Sequence, residues 1–341
     1  MDRLRRQGLP ALVVAALAPA SAWGCASCGC TLSVDAATGY AATAGWRFGM
    51  QFDYIDQDEL RSGTHSASPQ QVVEQPSNSA LRGGEIERQT INRYLTAGVA
   101  YSPNPDWYFD LRLPYVLRDH WTYGVQVQPY SPADVAPDQL SSARAAGLGD
   151  VRVVGNYQGF LPTRNLGVQL GIKLPTGEYG TAVRFDSGPL LGTPLDASLQ
   201  PGTGSTDLIL GAYYYTAVSQ DFDLIANGQF QSALWHAQNQ PGQDYRPGNS
   251  VLLAFGMRYV AHPALVPQAQ VNLIRKTADQ GALADTTDTA GTIAYLSPGL
   301  TLRIAPRLHL YAFVQVPVFS NLSGYQLLPR WTASVGVSYA P

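Results

Sequence analysis

Three cysteines lie close together near the start of the chain, at Cys25, Cys28 and Cys30. Clustered thiolates favour soft metals such as Cu(I) or Zn, with a fourth ligand supplied by another part of the chain or by the amino terminus. In an oxidising compartment the same residues would instead form a disulfide and leave one thiol for a partner protein. No histidine follows Cys28 directly, which excludes a covalent haem site of the usual type.

Histidines are the other candidates for nucleophilic or acid–base chemistry, and the chain has five of them: His65, His120, His236, His262 and His309. None has a serine and an acid at a spacing that fixes a catalytic triad, and no nucleophile motif is present. The sequence therefore predicts a protein that is not an enzyme.

The first residues have the pattern of a secretory signal. Arg3, Arg5 and Arg6 precede a short apolar stretch over residues 9–18, and Ala20-Ser21-Ala22 offers a cleavage site. The apolar stretch is well short of the roughly 20 residues that a spanning helix needs. We expect residues 1–22 to be a signal peptide and residues 23–44 to be a periplasmic segment that carries the cysteines, with a periplasmic protein as a possible partner.

Composition narrows the class of protein further. Charged residues make up 14% of the chain, against roughly 25% in an ordinary soluble domain. The net charge of −3 gives no basic surface for a nucleic-acid partner. A mean hydropathy of −0.09 excludes a helical membrane protein. A low content of charged residues together with 33 glycines and 19 tyrosines is suited to a protein wall that has lipid on one side.

Alternation of apolar and polar residues with a period of two runs along most of the chain and predicts strands. Twelve such segments lie near residues 45–57, 89–101, 106–119, 148–160, 165–175, 204–217, 220–233, 249–261, 265–276, 291–304, 307–319 and 329–340. Most are longer than the roughly 5–6 residues of a soluble strand and long enough to cross a bilayer, which takes about 9–11 residues.

The connections between these segments alternate between short and long. The long ones are residues 58–88, 120–147, 176–203, 234–248, 277–290 and 320–328. Short turns on one side and long loops on the other are typical of outer-membrane barrels, in which the short turns are periplasmic. The fold class is therefore predicted to be all-β, a transmembrane antiparallel up-and-down barrel of about twelve strands over residues 45–341.

If the apolar faces meet lipid, the polar faces line the lumen. We expect the lumen or its constriction to be formed by charged side chains on those faces, which are Asp110, Arg112, Arg118, Arg152, Lys173, Asp223 and Arg258. They would line a hydrated passage or, alternatively, fill the barrel with ion pairs. Twelve strands enclose more space than the eight that side chains can just fill, which favours the passage.

Short motifs rich in glycine and proline lie within these segments and between them. They are Leu113-Pro114-Tyr115, Gly147-Leu148-Gly149-Asp150-Val151, Lys173-Leu174-Pro175-Thr176-Gly177 and Gln200-Pro201-Gly202-Thr203-Gly204-Ser205-Thr206-Asp207. Over residues 90–340 the chain resembles the outer-membrane transporter family named for the meta-pathway of phenol degradation. The resemblance implies an exported barrel that admits small aromatic compounds.

Together these features predict a channel or transporter in the bacterial outer membrane for small hydrophobic or aromatic solutes, with lipid and a small molecule as partners and no cofactor. The alternative is a metal-binding outer-membrane component, with Cu or Zn at Cys25, Cys28 and Cys30, linked to metal handling or electron transfer.

Overall fold

The computed structural model describes residues 44–74, 86–123 and 135–341. The predicted signal peptide and the cysteine segment lie outside these residues, apart from residue 44. The strands are β1 (Gly45–Gly63), β2 (His65–Ser66), β3 (Ile86–Asn104), β4 (Trp107–Tyr123), β5 (Leu140–Leu148), β6 (Val151–Tyr157), β7 (Leu166–Leu174), β8 (Ser205–Ala217), β9 (Phe222–His236), β10 (Ser250–Tyr259), β11 (Leu265–Lys276), β12 (Gly291–Ala305) and β13 (Leu308–Tyr339).

Helical structure is confined to the connections in the described part of the chain. The helix α1 spans Pro69–Glu74, and short 3-10 helices span Pro137–Gln139 and Ala197–Leu199. Within the described ranges, no helix has the length and apolar character needed to span a membrane.

The strands form one antiparallel sheet that closes on itself. Strand order around the ring is β13-β12-β11-β10-β9-β8-β7-β6-β4-β3-β1, and β1 pairs with β13. The two remaining strands extend this ring, since β2 pairs with β1 and β5 pairs with the later part of β4. A closed antiparallel ring pairs its backbone groups internally, as the bilayer core requires.

Strand β13 crosses the wall twice. Its residues from Leu308 to Leu322 pair with β12, whereas those from Leu322 to Tyr339 pair with β1. Because β12 and β1 run in opposite directions around the antiparallel ring, β13 must reverse, and Gly324 provides the left-handed backbone (φ 48°) for that turn. With β13 counted twice, the eleven-strand ring crosses the wall twelve times, which confirms the predicted fold class.

Three predicted connections contain more strand than expected. The connection over residues 58–88 includes the last six residues of β1 and all of β2. The connection over residues 120–147 includes most of β5, and the connection over residues 320–328 lies within β13. The prediction of a loop at 320–328 is wrong because a tight turn at Gly324 reverses the chain and allows pairing to continue on both sides.

Exposure alternates along the strands as the period of two requires. In β4, Leu111, Leu113 and Tyr115 are exposed on the outer face, whereas Asp110 and Arg118 are buried on the inner face. Exposed apolar side chains around the ring form the surface that hydrocarbon would cover, and the polar side chains point into the lumen.

Aromatic pairs lie at the strand ends beside the short turns. Trp46 packs against Tyr101 with ring centroids 4.6 Å apart, and Trp107 packs against Tyr157 at 4.8 Å. Aromatic residues are enriched at the membrane–water interface, where one side of the ring meets lipid and the other meets water. Trp46 and Trp107 are therefore placed as members of an aromatic belt at this end of the barrel.

The short turns are closed by side-chain acceptors. Asn104 Oδ1, Ser219 Oγ and His262 Nδ1 each accept hydrogen bonds from the backbone N–H groups two and three residues later. Such local bonds are the reason that asparagine and serine favour turns. They fix the start of the next strand and therefore its register.

Buried aromatic rings stand over glycines on the inner face, which belong to a neighbouring strand or, within β13, to its other crossing of the wall. The pairs are Tyr213 over Gly167, Phe313 over Gly299 and Tyr311 over Gly336. A Cβ atom on any of these glycines would lie 2.2–2.3 Å from the ring. Two of the rings also donate hydrogen bonds, from Tyr213 Oη to Gln158 Oε1 at 2.9 Å and from Tyr311 Oη to Gln51 Oε1 at 2.7 Å.

We predict that Gly167→Ala destabilises the barrel, because the new methyl group overlaps the Tyr213 ring and breaks its bond to Gln158. Overpacking of this kind costs about 1–3 kcal/mol. The measurement is the denaturant midpoint of the refolded barrel in detergent. Gly98→Ala is the matched control, since a Cβ there meets only the backbone oxygen of Gly49 at 3.9 Å. Equal midpoints for the two variants would contradict the prediction.

Candidate solute-binding cavity

A cavity of about 410 Å³ lies inside the barrel. Its walls come from both sides of the ring, with Gln51 of β1 and Tyr94 of β3 on one side and Leu252 of β10 and Ile274 of β11 on another. Ser198 and other residues of the connection between β7 and β8 complete the lining. The cavity is therefore a space in the lumen rather than a groove on the outer surface.

The connection between β7 and β8, residues 175–204, folds inward. It carries its own apolar cluster, in which Phe185, Leu190, Leu195 and Leu199 pack with Ala143 of β5. These side chains are at most 5% exposed. Since the cluster packs against the inner wall, the connection occupies part of the lumen.

Arg118 of β4 holds this connection against the wall. Its Nη1 donates to the carbonyl oxygens of Leu199 and Gln200. Its Nε donates to Asn92 Oδ1 at 2.5 Å and its Nη2 to Tyr94 Oη at 2.9 Å. All of these acceptors are neutral, so the guanidinium is well hydrogen-bonded, but no carboxylate of the described residues contacts it.

The glycine-rich motifs of the sequence meet at a buried ion pair. Lys173 Nζ lies 2.6 Å from Asp150 Oδ2 and 3.5 Å from Asp207 Oδ2. Asp150 also accepts hydrogen bonds from the backbone N–H groups of Gly177 at 3.2 Å and Thr203 at 3.1 Å. Both ends of the inward connection are therefore tied to one carboxylate, which we call the Asp150 tie.

Two glycines allow the ends of the connection to approach each other. A Cβ at Gly177 would lie 2.8 Å from Gly202 Cα, and one at Gly202 would lie 2.7 Å from Asp150 Oδ1. A side chain at either position would push the two ends apart. The motifs that carry the family resemblance thus have a structural role, which is to fix the inward connection.

A row of cations crosses the inner wall beside this tie. Arg112 of β4 is in register with Arg152 of β6, and Arg152 is in register with Lys173 of β7. We call these three residues the basic row. Arg112 pairs with Asp110 at 2.6 Å, whereas Arg152 donates to Gln231, which itself donates to Asp207 Oδ2 at 2.5 Å.

Five of the seven predicted lumen residues, namely Asp110, Arg112, Arg118, Arg152 and Lys173, line the cavity. The other two, Asp223 and Arg258, are in register with each other on β9 and β10 and lie away from the lining. A constriction role for any of the seven stays a prediction.

Several charged residues at the cavity were missing from the predicted set. They are Arg47, Asp207 and Lys276 in the lining and Asp150 and Asp279 behind it. Alternation places Arg47 on the inner face of β1, and Asp150 and Asp207 belong to the glycine-rich motifs. Those signals were in the sequence, but only the folded chain shows which of the charges share one space.

Neighbouring long connections close the same end of the barrel. Lys276 pairs with Asp279 at 2.6 Å, and Asp279 also accepts hydrogen bonds from Tyr245 Oη at 3.1 Å and from the Gly248 N–H at 2.7 Å. This buried carboxylate joins the connections over residues 237–249 and 277–290 above the cavity.

A second carboxylate in the connection 277–290 has an unusual environment. Burial raises the pKa of Asp288 to about 8, and the nearby Asp285 carboxylate adds to the effect. Hydrogen bonds from the Tyr325 N–H and from Thr287 lower the pKa only partly. Asp288 is therefore mostly protonated at neutral pH, beside the Gly324 turn of β13.

The cysteines predicted to bind Cu or Zn lie outside the described residues, so the metal site stays a prediction. In the described ranges, no group of three or more histidine, cysteine, aspartate or glutamate side chains is placed to hold a metal ion.

Solved structures resemble this fold at low sequence identity. An outer-membrane channel from Pseudomonas putida F1 superposes with a TM-score of 0.61 at 11% identity, covering 91% of this chain and 100% of that one. A FadL homologue from Pseudomonas aeruginosa gives a TM-score of 0.43 at 11% identity, covering 94% and 99% of the two chains. No curated protein matches the sequence significantly. The first of these similarities supports the fold alone, which is that of an outer-membrane β-barrel.

A family model described as "Putative MetA-pathway of phenol degradation" matches residues 92–318. This match spans more than half of the chain, and the protein belongs to that family. The resemblance seen in the motifs is thereby confirmed.

We predict that Asp150→Ala frees the inward connection while the barrel stays folded. The substitution removes the ion pair with Lys173 and two acceptors, and breaking a buried pair costs about 3–5 kcal/mol. Trypsin should then cleave after Arg184, within the connection, at least roughly tenfold faster, since local opening exposes its backbone. Asp138→Ala is the control, because that side chain is exposed and, among the described residues, accepts a hydrogen bond from its neighbour Gln139 alone. Unchanged cleavage in Asp150→Ala would contradict the role of the tie.

We predict that Asp288 makes the connection over residues 277–290 less stable as the pH rises. Its pKa is about 8 when folded and near 3.8 when unfolded, so ionisation opposes folding progressively between about pH 4 and pH 8 and fully above that. Asp288→Asn should remove this pH-dependent loss of stability. The melting temperature of the variant minus that of the wild type should therefore rise from pH 5 to pH 9. A difference that is constant with pH would contradict the raised pKa of Asp288.

Proposed function

We propose that this protein is a channel in the bacterial outer membrane that admits small solutes, hydrophobic or aromatic in character, through its lumen. The observation that carries the proposal is the cavity of about 410 Å³ enclosed by the barrel wall and the inward connection. Its size falls in the range of pockets that hold small molecules, roughly 300–1,000 Å³.

The chemistry of the lining supports a solute with an apolar part. Tyr94, Tyr108, Leu252 and Ile274 line the cavity beside the charged residues. Rings and aliphatic side chains give apolar contact area, and the tyrosine hydroxyls provide a few directional hydrogen bonds. A passage lined only by charges would lack these contacts.

The inward connection would act as the closing element of the channel. It contacts the wall through Arg118, through the Asp150 tie and through Ser141 and Ser142 of β5. Hinges of mobile segments absorb changes in backbone angles at a few positions. The close glycine pair Gly177 and Gly202 lies where such hinges would be needed.

The proposal predicts that liposomes containing the protein swell in an isosmotic solution of phenylalanine, an aromatic solute that crosses lipid slowly. They should not swell in raffinose, which is too large for the cavity. Asp150→Ala should swell faster in phenylalanine, since its connection opens more often. Protein-free liposomes give the background. No swelling in phenylalanine by either the wild-type protein or Asp150→Ala would overturn the proposal.

A further inference from the structure

We propose that the cavity selects small organic anions, in particular an aromatic ring bearing a carboxylate or a sulfonate. The inference rests on the proposed channel function and specifies its solute. It is carried by the distribution of charge around the cavity, which is unequal. The cationic side chains in the lining are Arg47, Arg112, Arg118, Arg152, Lys173 and Lys276, against the carboxylates of Asp110 and Asp207 in the lining and of Asp150 and Asp279 behind it.

Some of this positive charge is balanced by carboxylates in contact. Lys173 pairs with Asp150 and Asp207, Arg112 with Asp110, and Lys276 with Asp279. Arg47 lies over the Tyr108 ring, 5.4 Å from its centroid.

Arg118 and Arg152 differ from these cations. Among the residues that the structure describes, neither has a carboxylate oxygen within 4 Å, and their hydrogen bonds go to neutral oxygens. These two guanidinium groups therefore bring positive charge to the lumen that no carboxylate of the described residues balances by direct contact.

Arg152 is the stronger of the two candidates for direct contact with a solute. It is the middle member of the basic row, in register with Arg112 on one side and Lys173 on the other. Like charges directly opposite each other on neighbouring strands are unfavourable. A bound anion at this point would relieve that repulsion.

The hydrogen bonding of Arg152 also leaves room for an anion. Its Nη2 donates to Gln231 Oε1, but its Nε is buried and has no hydrogen-bond partner among the described residues. A guanidinium presents its N–H groups in a planar fork that matches a carboxylate or sulfonate. Among the described residues, Arg152 therefore has an unused donor and no contacting carboxylate, and it lines the cavity.

The apolar lining decides between an inorganic and an organic anion. Tyr94, Tyr108 and Leu252 line the same space as Arg152. These side chains gain nothing from chloride, whereas a ring attached to the anionic group would bury apolar area against them. The geometry therefore favours an aromatic anion over a small inorganic one.

Zero-current potentials across planar bilayers test the inference, with a gradient of potassium chloride and then of potassium benzenesulfonate, which stays ionised. We expect anions to be more permeable than potassium by roughly tenfold, the lower end of the enrichment known for charged clefts. We also expect benzenesulfonate to be at least as permeable as chloride despite its larger size. Either salt giving a potential of zero, or one of the cation-selective sign, would overturn the inference.

Arg152→Gln is the decisive variant, since it keeps a donor for Gln231 and removes one of three adjacent cations. Its anion preference should fall by at least about threefold, and benzenesulfonate should lose more than chloride. Arg330→Gln is the matched control, because Arg330 is 68% exposed, pairs with Asp58 and lies outside the cavity lining. An unchanged preference in Arg152→Gln, with the barrel shown to be folded, would assign the selectivity elsewhere and overturn the role of Arg152.

The two proposals fail in different ways. Channels that conduct without anion preference would overturn the solute class and leave the channel function intact. A protein that conducts no ions in any salt and gives no swelling would overturn the channel function and the solute class with it.

Discussion

In the hydrocarbon core of a bilayer every backbone N–H and C=O must find its partner within the protein, and the pairing of β1 with β13 is the contact that makes this possible here. It removes the two free edges that an open sheet would expose. Once the ring is closed, each strand has one face toward lipid and one toward the lumen. The exposed Leu111 and buried Asp110 of β4 are neighbours in the chain and on opposite sides of the wall for this reason.

Closure also concentrates the polar side chains of the strands in one enclosed space. A buried charge is costly unless it is paired and hydrogen-bonded. The inner face meets this demand with linked pairs, as at Lys173, Asp150 and Asp207. The same pairs hold the inward connection, because Asp150 also accepts bonds from the backbone at both of its ends. Charge compensation in the lumen and closure of the passage are therefore one structural feature.

The strands were predictable from the sequence because a period of two is visible without any knowledge of distant contacts. The segments 265–276 and 291–304 correspond closely to β11 and β12. The turn at Gly324 was missed, since polar residues around it looked like a long loop. The period of two gave the inner face of each strand, and so five cavity residues, but it does not give the order in which those faces meet in space.

The inward connection was beyond prediction for a different reason. Phe185, Leu190, Leu195 and Leu199 follow neither the period of two of a strand nor the 3.6-residue period of a helix, so the sequence pattern does not indicate that they form a cluster. Their packing depends on the wall of β4 and β5, which lies far away in sequence. The motifs at Gly177 and Gly202 are recognisable in the sequence. Their structural role depends on the close approach of the two backbones and on the Asp150 carboxylate, which lies 27 residues before Gly177.

The position of the basic row depends on the register of the strands that carry it. A shift of one residue in the pairing of β4, β6 and β7 would turn Arg112, Arg152 and Lys173 toward lipid, where a charged side chain costs of order 2–4 kcal/mol at the midplane. These cations therefore strongly favour the observed register over its neighbours. This register also places like charges side by side, and the carboxylates of the described residues contact Arg112 and Lys173 rather than Arg152 between them. The arrangement that secures the wall is thus the one that creates an attractive field for anions inside it.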